Sequence, residues 1–84
     1  MAFYVYIIQS QKDNSLYVGH TNNLERRLSQ HNNPDGKSYT SKRYPWKLMY
    51  KEEFSTRREA MQRERFLKSH AGAHEKKLLV GIIE

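Results

Sequence analysis

The chain has no cysteine, only two prolines and four glycines, and a single tryptophan among its 84 residues. Without cysteine there is neither a disulfide frame nor a thiolate metal site. With so little Pro and Gly there is no low-complexity segment or long linker, and no internal repeat is visible. No apolar run approaches the roughly 20 residues that a membrane-spanning helix needs. Residues 1–9 lack the basic start and small-residue cleavage site of a signal peptide, so a cytoplasmic location is expected. Acidic residues are the remaining shortage. Nine Asp and Glu face fifteen Lys and Arg, a formal net charge of +6. A chain of this length is one small domain, residues 1–84, that buries only about 60% of its unfolded surface. Such a core excludes a large ligand cavity with a separate regulatory unit.

The positive surplus is unevenly placed. Residues 1–21 are neutral, residues 22–51 hold seven basic groups against two acidic, and residues 52–84 hold seven against six. The basic middle third is interleaved with Tyr39, Tyr44 and Trp46. That mixture suits a phosphate backbone with stacking on bases or sugars. It equally describes a solvated loop, so charge alone points to a polyanion without naming it.

Residues 3–9 are rich in β-branched and aromatic side chains and apolar on both faces, which predicts a covered strand. A turn cluster at 11–15 and a short strand at 16–19 close a hairpin. Asn22, with Glu25 three residues on, predicts a capped helix over 23–32, which the breakers Asn32, Asn33, Pro34, Asp35 and Gly36 end. A polar, basic loop over 36–45 leads to a strand at 46–54, with Trp46, Leu48, Tyr50 and Phe54 on one alternating face. Thr56 and Glu59 repeat the capping spacing before a helix reaching about residue 69. Gly72 interrupts, and a last helix over 73–83 would pack Leu78, Leu79, Ile82 and Ile83 on the sheet. The order ββαβαα is an α+β fold with a small antiparallel sheet.

Two charges fall where apolar residues are expected. Arg27 follows Leu24 by three positions and shares the stripe of Leu24 and Leu28, as does His31, whereas Arg26 points to solvent. On the next helix Ala60, Met61 and Leu67 mark the inner face and Glu64 sits in its middle, while Glu59 and Arg63 take freer positions. A guanidinium or carboxylate so placed needs a partner. The simplest partnership is with each other, as a structural ion pair; two such residues in so small a core favour a site. His20 and His31 could cap carbonyls or pack at the surface. His70 and His74 have i, i+4 spacing without a third ligand, and are read as solvated. Tyr6 and Tyr17 fit strand packing, and Gly19 after Tyr17 allows a close approach or a bend.

These residues, in this order, resemble the GIY-YIG nuclease superfamily. Tyr4-Val5-Tyr6 is a variant of the first motif and Tyr17-Val18-Gly19 matches the second. The stretch from Leu24 to Asn32 resembles the helix with the essential arginine, at Arg27. The stretch from Glu59 to Lys68 resembles the helix with the metal-binding glutamate, at Glu64. The resemblance covers about residues 3–68 and is greatest to short stand-alone bacterial members, similar to the nuclease subunit of eukaryotic structure-specific endonucleases. It implies a three-stranded antiparallel sheet flanked by helices. Departures are Tyr4 in place of the leading glycine, His20 where Lys or a small residue is frequent, and no counterpart of a C-terminal Asn after Lys68.

The resemblance also implies metal-dependent hydrolysis of DNA phosphodiesters, possible at repair or recombination structures, with RNA open as a substrate. Glu64 would hold one divalent cation, Mg²⁺ or Mn²⁺. Arg27 would contact a non-bridging oxygen. Tyr6 would take a proton from the attacking water, its pKa lowered by Arg27 and the metal. Tyr17 would orient the water or the phosphate, with Gly19, His20 and His31 in support. Lys37, Tyr39, Lys42, Arg43 and Lys47 would grip the backbone, and a targeting protein could supply specificity. The alternatives are a non-catalytic nucleic-acid-binding module and a protein-interaction domain that docks through its last helix. A catalytic role requires Tyr6, Tyr17, Arg27 and Glu64 to converge on one face with space for a metal and a phosphate, and fails if Glu64 points away from the other three.

Overall fold

The computed structural model describes residues 2–33 and 40–81. The elements run β1 (Phe3–Ser10), β2 (Leu16–Thr21), α1 (Leu24–His31), β3 (Trp46–Phe54), α2 (Arg57–Lys68) and α3 (Ala73–Leu79), with a 3₁₀ turn at Ser41–Arg43 before β3. This is the expected ββαβαα order on a three-stranded antiparallel sheet. The strands lie in the order β2-β1-β3, so β1 is central. That position explains why Val5, Tyr6, Ile7 and Ile8 are all fully buried although their side chains alternate between faces.

The alternation divides the core. Val5, Ile7 and Val18 pack with Ala60, Leu67 and Val80 on the α2 face. Tyr6 and Ile8 pack with Trp46, Tyr17, Leu24 and Leu28 on the α1 face. The single alternating face expected for β3 does not hold. Ile7 pairs with Tyr50 but Ile8 pairs with Leu48, so Met49 is an extra residue in the ladder. This bulge reverses the phase of the strand. Trp46 and Leu48 therefore face α1, and Tyr50 and Phe54 join the α2 side.

The cap of α1 is Asn23 rather than Asn22: its side chain accepts the Arg26 N–H at 3.1 Å. Thr21 Oγ1 in turn accepts the Asn23 N–H at 3.1 Å. The α2 start is as its spacing indicates. Thr56 Oγ1 accepts the Glu59 N–H at 3.2 Å and its hydroxyl donates to the Glu59 carboxylate at 2.9 Å.

The inner face of α2 needs two corrections. Ala60 and Leu67 are fully buried, but Met61 is 42% exposed. Arg63, expected to be free, turns inward and forks onto Glu75 at 3.0 and 3.2 Å, with Glu52 at 3.3 Å. At 3.6 residues per turn positions 60, 63, 64 and 67 share one face, and Met61 lies about 100° round from Ala60. The Arg63 cluster fastens α2 to β3 and α3. In the turn between the helices, a side chain at Gly72 would run into the Phe66 carbonyl. Helix α3 ends at Leu79, earlier than expected. Leu79 and Val80 pack on the sheet while Leu78 is exposed; Ile82 and Ile83 lie outside the described residues. Among the described residues no helix is long and apolar enough to cross a membrane.

Candidate active site

The site begins with a missing side chain. Tyr6 on β1 pairs with Gly19 on β2, and the Tyr6 ring lies across the glycine. A Cβ at position 19 would stand 2.5 Å from the Tyr6 hydroxyl oxygen and 2.7 Å from Cζ. Gly19 is thus a close-approach glycine, which fixes where the phenol can go. Gly19→Ala should shift the Tyr6 ring and cost about 1–3 kcal/mol by overpacking. A chemical-denaturation midpoint measures it; an unchanged midpoint would show that the ring is not wedged there.

Helix α1 covers the phenol from above. The Tyr6 hydroxyl and His31 Nε2 are 2.7 Å apart, and His31 is only 3% exposed. Tyr17 completes the aromatic group, its ring centroid 4.9 Å from that of His31 and 6.5 Å from that of Tyr6. Arg27 comes in from the same helix face, and its guanidinium bears on the Tyr6 phenol. Its Nη1 also donates to Gln30 Oε1 at 3.0 Å. With His31 Nε2 as the acceptor, the Tyr6 O–H donates to His31.

Burial pushes the Tyr6 phenol up to about 12, against the pull of Arg27. Arg27 lowers it, as expected, but a fully enclosed phenolate loses more hydration than that one cation returns. Burial, reinforced by the Arg27 charge, pushes His31 down to about 4. His31 is therefore neutral near pH 7, and its Nε2 is assigned as the acceptor. The unfolded chain binds a proton there below about pH 6.5 that the folded chain refuses until about pH 4. Stability should fall as pH drops through that window, by about 3 kcal/mol at about 1.4 kcal/mol per unit. In His31→Gln, whose amide oxygen still accepts from Tyr6, this contribution should vanish. Urea melts across the window decide it, and an equal slope in both proteins would refute it.

Glu64 approaches from the other side of the sheet. His20 pairs with Val5 and so shares the α2 face, where its Nδ1 contacts Glu64 Oε1. Lys68, one turn along α2, donates to Glu64 Oε2 at 2.6 Å. Burial works to raise the Glu64 carboxyl, but Lys68 and His20 outweigh it and hold it below the usual range. The Lys68 ammonium also lies 5.7 Å from the centroid of the Tyr17 ring. It thus rounds the free edge of β2 and joins the two halves of the site. The Glu64 charge bears on Tyr6 from there. Arg27 and Glu64 do not form the structural ion pair with each other. Lys68 was missed in the sequence; its signal was the i, i+4 spacing from Glu64.

No three His, Asp or Glu side chains gather around a common point among the described residues. A metal held entirely by protein ligands is therefore not what Glu64 offers. A single carboxylate beside an open trough of about 440 Å³ fits a hard cation that keeps water and takes substrate oxygens. The residues expected to grip a backbone are less uniform. Lys42 and Lys47 are exposed, Arg43 is paired with Asp13 at 3.1 Å, and Lys37 and Tyr39 lie outside the described residues. His70 and His74 are exposed.

Tyr6, Tyr17 and Arg27 thus lie on the α1 face and Glu64 on the α2 face, so the four do not share one face; Lys68, at the edge of β2, lies between them. The family model described as the GIY-YIG catalytic domain matches residues 2–78, and the chain belongs to that family. Within it the similarity is to UPF0213 proteins. That of Bacillus licheniformis is 54% identical over 65 residues, covering 77% of this chain and 66% of the relative. That of Staphylococcus haemolyticus is 45% identical, covering 90% of this chain and 92% of the relative. The solution NMR structure of UPF0213 protein BH0048 from Bacillus halodurans has a TM-score of 0.58 at 35% identity. It covers 98% of this chain and 85% of the other. The chain thus spans just under two thirds of the B. licheniformis protein's length.

Proposed function

We propose that the chain is a metal-dependent endonuclease that hydrolyses phosphodiester bonds in DNA. The observation that supports this reading is the Tyr6–His31–Arg27 group on one face of the sheet, with Glu64 held at the same edge strand from the other face by His20 and Lys68. Phosphodiester hydrolysis builds negative charge on the phosphate, so positioning and electrostatic stabilisation supply most of the acceleration. Arg27 moves from the phenols to a non-bridging oxygen, where its planar fork matches the phosphate. That move also opens the way to the buried Tyr6 hydroxyl. A phenol at about 12 is phenolate in only about one molecule in 10⁵ at neutral pH. Tyr6 therefore works as a relay: its own proton passes to His31 Nε2 as the water proton arrives on the phenol oxygen. Glu64, once released from Lys68, would hold one divalent cation, Mg²⁺ or Mn²⁺, which would supply charge neutralisation at the leaving oxygen. Tyr17 orients the phosphate from the open side of the group.

The test is direct. Purified protein with Mg²⁺ or Mn²⁺ should cut at least one of linear, nicked, flapped or branched DNA, and Glu64→Ala should abolish cutting while remaining folded. Cutting by the variant at the parent's rate would identify a contaminant. The engaged Glu64 carboxylate and the enclosed Tyr6 favour one second reading, a non-catalytic nucleic-acid-binding module. Salt-dependent binding without cleavage under either metal would establish that reading instead.

A further inference from the structure

The trough at Glu64 does not end there. A second hollow of about 420 Å³ continues along α2 to Arg57 and Arg58, and the two share Met61 and Arg65 as walls. Arg58 and Arg65 are exposed, and among the described residues neither has an ion-pair partner, whereas Arg43 and Arg63 are paired with carboxylates. The sequence withholds partners from them. The helical neighbours of Arg58 are Met61 and Gln62; those of Arg65 are Met61, Gln62, Lys68 and Ser69. An acid at any of these positions would have been an ordinary stabilising choice. Met61, 42% exposed between the two arginines, gives the floor an apolar spot suited to a sugar face.

We propose that the outer face of α2 is a track for the sugar–phosphate backbone. Arg58 and Arg65 take phosphates of the strand whose scissile phosphate lies at Glu64. The proposal rests on the nuclease reading for the class of its ligand. Seven residues separate the two arginines, about 10 Å along the helix. The track stands beside the grip expected of Lys37, Tyr39, Lys42, Arg43 and Lys47; Arg43 is also paired with Asp13.

The experiment is fluorescence anisotropy with a fluorescein-labelled flapped DNA duplex, in EDTA, across a range of KCl concentrations. The double variant Arg58→Ala/Arg65→Ala should bind about 10-fold more weakly at low salt, and the slope of log K against log salt should become shallower by about 2. Arg26→Ala, an exposed arginine on α1, should leave the slope unchanged. Circular dichroism melts confirm that both variants fold, as expected for unpaired surface residues. A double variant with the parent's affinity and slope overturns the track and leaves the nuclease reading standing. A parent protein that does not bind the duplex overturns it as well. Absence of cleavage under Mg²⁺ or Mn²⁺ counts against the nuclease reading alone, because binding is read without metal.

Discussion

Arg27→Ala should lower the cleavage rate by about 10²–10³-fold, the usual effect of removing one donor aimed at developing oxyanion charge. Its stability should change by no more than about 1 kcal/mol, because the side chain is only half-buried and its Gln30 contact is exposed. This split separates a phosphate contact from a structural role. Arg27→Lys keeps the charge but loses the planar fork, so it should recover only part of the rate. A structural role would reverse the pattern: Ala would lose stability first and rate in proportion. A second consequence follows from the pull of Arg27 on Tyr6. Removing the guanidinium leaves only burial and the neighbouring Tyr17 and Glu64, all of which raise the phenol, so raising the pH should not rescue the Ala variant. Recovery at high pH would mean that Arg27 acts through phenol ionisation and not on the phosphate. Single-turnover rates on a labelled DNA, with melts of each variant, give both readouts.

The sheet and its helices were legible because their signals are local. Residues 3–9 announce a covered strand through their composition, and Thr56 with Glu59 announces a helix start through one spacing. The bulge at Met49 was not legible. It is set by pairing against Ile7 and Ile8 on another strand, and a residue list of alternating apolar positions contains no trace of it. The placement of charges was legible by periodicity at Arg27 and Glu64, since three- and four-residue offsets from apolar neighbours put them inward. The same periodicity fails one position along α2. Met61 is exposed and Arg63 turns in, because the carboxylates of Glu52 and Glu75 lie there to receive it. The state of Tyr6 was out of reach for a different reason. Its pKa depends on how completely neighbours from α1 and β2 enclose it, which is a property of tertiary packing and the absence of a side chain at Gly19.

Tyr6→Phe should lower the rate by about 10²–10⁴-fold, the range for losing a positioned acid–base group. It should also cost about 1–3 kcal/mol of stability, because the His31 Nε2 lone pair stays buried without a donor. His31→Gln provides the sharper contrast. The amide oxygen can still accept the Tyr6 O–H, so the phenol keeps a partner, but an amide cannot take up a proton at any working pH. If Tyr6 relays its proton to His31, His31→Gln should lose as much rate as Tyr6→Phe, and the double variant should be no worse than either single one. Such non-additivity marks residues that act as a unit. If Tyr6 worked alone as a base, His31→Gln would stay within a few-fold of the parent and the two losses would multiply. The relay also sets the sign of the pH response. His31 must be unprotonated to receive, and it titrates at about 4 in the folded protein, so the parent's rate should hold down to about pH 5 and fall below it. An apparent pKa nearer 12 in the rising limb would instead assign the step to ionisation of Tyr6 itself.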